Sequence, residues 1–153
     1  MSLVETIKKN RIMAMKTGAK DTLSTLRLLL SELDKERVIF KLQDVSELSD
    51  EQVQTVISRQ IKKLDKEIEA YEAVGRETDS QNTEKELLMT YLPKQLTKEE
   101  IREIAYRADS LYRRGEIDQP QRYLAQRLKG KADMRLVMQI LKEVQQELDN
   151  AGE

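Results

Sequence analysis

Cysteine and histidine are absent from the chain. Without cysteine there is no disulfide, no thiolate metal site and no thiol nucleophile. Without histidine the commonest general base and metal ligand is missing. A catalytic centre would have to rest on Ser, Lys or carboxylates, and none of these stands in a Gly-rich setting. Glycine occurs 5 times, proline twice, and aromatic residues make up 4% of the chain. No apolar run approaches the ~20 residues that a membrane span needs. The first nine residues, Met1-Ser2-Leu3-Val4-Glu5-Thr6-Ile7-Lys8-Lys9, carry no signal-peptide apolar core. The formal net charge is −1, so no global basic field draws nucleic acid to the molecule. These absences lead us to expect a soluble cytoplasmic protein with no membrane contact, no metal and no cofactor.

What is present is helical. Charged residues make up 36% of the 153, and Ala, Leu, Glu, Lys, Gln and Arg dominate, the composition of helices with solvated faces. No strand pattern, fixed-period repeat or low-complexity tract occurs. Ser2 with Glu5 forms a capping box, and Val4, Ile7, Ala14 and Met15 give a stripe that Gly18 can close. A second helix should begin near Asp21 or Thr22, carry Leu23, Leu26, Leu29, Leu30 and Leu33, and run to Leu42. Gln43 to Leu48 breaks the pattern. Ser49 with Gln52 opens a long third helix, with Leu48 and Val53 as its hydrophobic staple. Its face is Val53, Val56, Ile57, Ile61, Leu64, Ile68, Tyr71 and Val74, and Gly75 ends it. A short fourth helix runs towards Pro93.

Pro93 removes a backbone donor and pushes Leu92 out of helical space. Thr97 and Glu100 then open a new helix, with Leu96 and Ile101 spaced as a staple. This joint divides the chain into an N-terminal helical domain of about four helices (1–92), a linker (93–96) and a small three-helix domain (97–150). Ile101, Ile104, Ala105, Ala108, Leu111 and Tyr112 line the first helix of the second domain, which stops at Gly115. Asp118 and Pro120 are start signals for a helix through Tyr123, Leu124 and Leu128. Asp133 can cap the last helix, striped by Leu136, Val137, Ile140, Leu141, Val144 and Leu148.

Carboxylate pairs such as Glu67 with Glu69 and Glu84 with Glu86 read as solvated faces, in no apolar context that would raise a pKa. Gly130-Lys131 lacks the upstream glycines and the Ser or Thr of a phosphate loop. One segment departs from neutrality. Arg122, Arg127, Lys129, Lys131 and Arg135 stand against a single acid, Asp133, around a turn at Gly130 and a helix start. This is either a phosphate-binding patch, helped by exposed amides at the helix start, or a solvated turn with ordinary surface cations. Among the tyrosines, Tyr91 and Tyr112 fit apolar stripes, and Tyr123 beside Arg122 is the one candidate for stacking on a base.

Four stretches carry a resemblance: Leu23-Ser24-Thr25-Leu26-Arg27, Ala70 to Arg76, Tyr91-Leu92-Pro93-Lys94-Gln95-Leu96 and Lys129-Gly130-Lys131-Ala132-Asp133. In order and spacing they resemble the YqeY family. The resemblance implies an all-α protein with an N-terminal helical domain and a C-terminal three-helix domain. That C-terminal part is similar to the tail domain of the B subunit of the tRNA-dependent amidotransferase, which contacts the tRNA elbow. By resemblance, Arg127, Lys129, Gly130 and Lys131 fall on the turn that would face RNA. Two places depart from the family pattern: Asp118 to Tyr123 stands where small Gly-containing positions are usual, and Met134 where Gly often follows Asp133.

Three functions follow as expectations. The first is a non-catalytic module that binds tRNA or other structured RNA by shape, through Arg122, Arg127, Lys129, Gly130, Lys131 and Arg135. The second is an accessory component of a tRNA-dependent amidotransferase, a carbon–nitrogen ligase with glutamine as amide donor. Autonomous activity is disfavoured by the missing thiol and by the absence of a Gly/Ser-rich amidase stretch. The third is a protein-interaction module or homodimer, seated on the long third helix and the Met-containing first helix.

Overall fold

The computed structural model describes residues 1–152. Among them are seven α-helices and no strand. The chain divides into two compact units, Met1–Leu92 and a second that begins at Pro93. Each has its own hydrophobic core.

The first unit holds α1 (Leu3–Thr17), α2 (Lys20–Ile39), α3 (Asp50–Ala73) and α4 (Asp79–Met89), with a short 3-10 turn at Val45–Glu47. Ser2 and Glu5 close α1 reciprocally, and Ser49 and Gln52 do the same for α3, each pair satisfying two of the amide donors left over at a helix start. Val4, Ile7 and Ala14 point inward, but Met15 is 56% exposed. One residue past Ala14, a step of about 100° round the helix turns it away from the core. Ile12 and Met13 also face solvent.

Helix α2 begins at Lys20 rather than at Asp21 or Thr22; Ala19 is its cap residue and makes no side-chain bond. It ends at Ile39, short of Leu42. Lys41 adopts a left-handed φ of 58°. The Lys41 N–H donates to Val38 O and the Leu42 N–H to Arg37 O, both at 3.0 Å. This is a Schellman reversal. It folds Leu42 back against the core, so Leu42 continues the apolar pattern without being helical.

Leu26, Leu29 and Leu33 of α2 meet Val53, Val56, Ile57 and Leu64 of α3 in the core, joined by Leu88 of α4. Each such buried side chain contributes roughly 1.5–3 kcal/mol of transfer free energy. Glu36 is only 8% exposed, and Arg59 Nη2 neutralises it at 2.7 Å. Tyr91 packs into the same core, and its hydroxyl accepts from Asn10 Nδ2 at 2.8 Å. The stripe of α3 fades towards its end. Ile68 and Tyr71 are half-buried, and Val74 lies beyond the helix and is 71% exposed. No other element covers that turn.

The second unit contains α5 (Lys98–Arg113), α6 (Pro120–Leu128) and α7 (Met134–Ala151). Ile101, Ala105 and Ala108 of α5 pack against Leu124 and Leu128 of α6 and Val137, Ile140, Leu141 and Val144 of α7. Tyr112 does not join them and is 48% exposed. It sits in the last turn of α5, where periodicity keeps it on the inner side but no neighbour covers it. Asp109 is buried instead, 1% exposed, with its carboxylate accepting from Arg113 Nε at 2.6 Å. Pro120 is the first residue of α6, as proline's fixed φ favours, but Asp118 is not the cap. Gln119 holds that position without a side-chain bond. No described helix is long and apolar enough to cross a membrane.

One acid of the first unit departs from a simple solvated face. Burial on α4, and secondarily the charge of Glu67, push the Glu84 carboxyl above its ordinary value. A raised carboxyl pKa means that the folded state holds the proton more tightly than the unfolded chain. Its stabilisation is complete below the unfolded pKa and is lost as pH rises through the folded pKa. Glu84→Gln should therefore raise Tm at pH 7, and the gain should vanish at pH values below the ordinary carboxylate range. A thermal melt series from pH 3 to pH 8, with wild type alongside, reads this directly; equal melting temperatures at pH 7 would contradict it.

Candidate nucleic-acid interface

The basic segment is built by α6, the turn after it and the start of α7. Leu124 and Leu128 face the core, which turns Arg122 and Arg127 outward. Arg127 lies one turn after Tyr123, with its guanidinium carbon 4.6 Å from the ring centroid, within cation–π range. Lys129 ends α6, and Gly130 follows at φ 76°. Apart from the glycine and its two chain neighbours, no atom lies within 4 Å of the place where a Cβ would stand on Gly130. Glycine is required there by the left-handed backbone, not by crowding.

The turn is held from outside by the segment before α5. Gln95 Nε2 donates to Gly130 O and to Pro93 O, each at 2.9 Å. The Leu96 N–H donates to Lys131 O at 2.9 Å, and the Lys131 N–H closes the turn on Leu128 O at 2.9 Å. Residues 93–96 are thus a backbone partner of the turn. The side chains of Lys129 and Lys131 are left exposed on a fixed frame.

The start of α7 is not a free anion site. The Asp133 carboxylate accepts the Arg135 N–H at 3.0 Å and so occupies the position a phosphate would take. The cations must therefore act through their side chains. Met134, the first residue of α7, is partly buried against the core and serves packing.

The unit sorts its arginines into two groups. Arg102 pairs with Glu147 at 2.6 Å, Arg113 with Asp109 and Asp149 at 2.6 and 2.7 Å, and Arg114 with Glu116 at 3.3 Å. Tyr106 donates to Glu147 at 2.6 Å. That bond, followed by the one from Arg102, holds the Glu147 carboxyl below its ordinary value, and the Tyr106 hydroxyl is raised by the same contact. Among the described residues, no carboxylate oxygen lies within 4.0 Å of the side-chain nitrogens of Arg107, Arg122, Arg127, Lys129, Lys131 or Arg135.

Arg107 is the member that sequence reasoning missed. It lies on α5, remote in sequence from the basic segment, yet it borders the same groove as Arg127 and Lys131. The floor of this groove is Leu96, Ile104 and Leu128, with Tyr123 at its side and a volume of about 360 Å³. Arg122 and Arg135 are exposed but do not line it. Among the described residues, no group of three or more acids is placed to hold a metal ion.

A family model described as Yqey-like protein matches residues 4–145. The chain belongs to the YqeY family. Among curated proteins, none matches it significantly. The two stretches that mark the YqeY resemblance most specifically, Tyr91 to Leu96 and Lys129 to Asp133, are the ones that the Gln95 and Leu96 hydrogen bonds join in space.

Replacing Gln95 with Ala removes two hydrogen bonds to main-chain carbonyls. The expected cost is about 1–2 kcal/mol in the second unit, with faster amide exchange at Leu96 and Lys131. Unchanged exchange at both amides would show that the turn holds its shape without Gln95.

Proposed function

We propose that this chain is a non-catalytic RNA-binding protein that takes structured RNA, tRNA foremost, on the cationic face of its second unit. The observation that carries the reading is the set of exposed cations without internal acid partners: Arg107, Arg122, Arg127, Lys129, Lys131 and Arg135. Elsewhere in the unit, arginines that serve the fold are paired with acids. Unpaired cations on a pinned turn suit phosphates, because no internal ion pair has to break and the backbone of the turn is already held. The chain as a whole carries a formal charge of −1, so attraction would be confined to this face and would depend steeply on salt. The resemblance of this part to the tail of the amidotransferase B subunit favours tRNA among structured RNAs. An accessory place beside such an amidotransferase is compatible with the same face.

A separate observation favours an additional protein contact on the first unit. Ile12 and Met13 are 41% and 54% exposed. Lys9 and Lys16 flank them at helical spacing on the outer side of α1. Sedimentation or light scattering of the pure protein distinguishes a self-associating seam from a surface kept for another chain.

The deciding experiment for RNA is a titration of bulk tRNA across a salt series, with duplex DNA as comparator. Tighter binding to tRNA with a steep salt slope is expected. The double variant Lys129→Glu, Lys131→Glu should lose at least ~tenfold in affinity at low salt and lower the slope by about two, with an unchanged helical circular-dichroism spectrum. Wild-type affinity in that variant would remove both lysines from the interface.

A further inference from the structure

The groove between α5 and α6 combines two chemistries that a phosphate-only surface does not need. Leu96, Ile104 and Leu128 form an apolar floor. Arg107, Arg127 and Lys131 surround it, and no acid is among the lining residues. A bare phosphate would leave the floor wetted and unused. A purely apolar ligand would strip water from three uncompensated cations at high cost. The ligand that satisfies both parts carries an anion and a flat apolar group joined by a short link.

The volume limits its size. At about 360 Å³ the groove lies near the small end of ligand sites, on the order of 300–1,000 Å³, a size that suits a ligand of about one nucleotide. The side wall is suited to a planar group. The Arg127 guanidinium lies 4.6 Å from the Tyr123 ring centroid, and a guanidinium has a second face on which a base can stack. The main chain of the adjoining turn is fixed by the Leu96–Lys131 and Gln95–Gly130 hydrogen bonds, so that part of the frame is in place before the ligand arrives.

We propose that this groove receives a single unpaired nucleotide, its base on the apolar floor and its phosphate among Arg107, Arg127 and Lys131. The inference rests on the RNA reading and adds to it. Paired regions would be held through phosphates by Arg122, Lys129 and Arg135, while one splayed-out nucleotide sets which RNA features are preferred. Arg107 becomes a specificity-determining residue. The same chemistry is present in a free nucleoside monophosphate, and the test separates the two sources.

The full-length protein is titrated with AMP, with inorganic phosphate, and with three RNAs: a perfect duplex, the same duplex with a one-nucleotide bulge, and that bulge made abasic. Binding is read by affinity and by the methyl NMR signals of Leu96, Ile104 and Leu128. The expected result is that AMP moves these methyls and phosphate does not. The bulged RNA should bind about tenfold tighter than the duplex, in line with base stacking, and the abasic bulge should lose that advantage. Arg107→Ala, an exposed position, should narrow the gap between bulged and paired RNA. Equal affinity for all three RNAs with still methyls would overturn the groove while leaving the RNA reading intact. Methyl shifts with AMP but no binding of any RNA would overturn the RNA reading and give the groove to a free mononucleotide. Silence towards AMP and towards every RNA would remove both.

Discussion

Two hydrogen bonds to main-chain carbonyls, from the Gln95 side-chain amide to Gly130 O and from the Leu96 N–H to Lys131 O, hold the turn on which the candidate site is built. The turn has reason to spread. It carries Lys129 and Lys131 close in sequence to Arg127, and neighbouring like charges repel even through water. At physiological salt that repulsion is screened within about 8 Å. Two hydrogen bonds of about 1 kcal/mol each oppose it. Gly130 makes the clasp possible by taking a left-handed backbone that presents its carbonyl to Gln95. Leu96 ties the two roles together, donating to the turn through its backbone and lining the groove floor with its side chain.

The second consequence is electrostatic. Helices α5 and α7 are joined by Arg102 with Glu147 and Arg113 with Asp149, with Asp109 buried beneath. Every buried side-chain polar atom in the described residues has a partner. Charges that serve the fold are therefore neutralised locally, while the cations of α6 and the turn, together with Arg107, are not. A chain with almost no net charge in this way carries a local cluster of Arg107, Arg127 and Lys131 around one groove. Its field reaches about a Debye length, which suits contact recognition rather than long-range steering.

The match to the YqeY family covers nearly the whole chain, and the two marker stretches meet through Gln95 and Leu96. They are the two sides of one clasp. The first unit contains a separate core and an outer surface on α1 where Ile12 and Met13 stand between lysines. A fold does not by itself fix a function, and the functional reading here comes from the chemistry of the groove and the turn.

The helical class, the capping boxes at Ser2, Ser49 and Thr97, the glycine stops at Gly18, Gly75 and Gly115, and the cap at Asp133 were all determined by the sequence. Each is a local matter, a capping side chain or a left-handed glycine within a few residues of the amide or carbonyl it serves. Local pattern also placed the core stripes of α3, α5 and α7. It failed where the answer lay in another element. Leu42 kept the apolar rhythm because the chain doubles back onto the core, and Tyr112 kept it at a turn that nothing covers. Glu84 looked like any surface acid until the packing of α4 withdrew part of its water and set it near Glu67. Arg107 is the clearest case. Its place beside Arg127 and Lys131 follows from how α5 and α6 cross, and no periodicity within either helix encodes that. The sequence by itself determined which residues are helical, capped and basic. Only the tertiary structure decided which cations would find acids and which would be left facing an apolar groove, because ion pairing depends on distances between helices rather than along them.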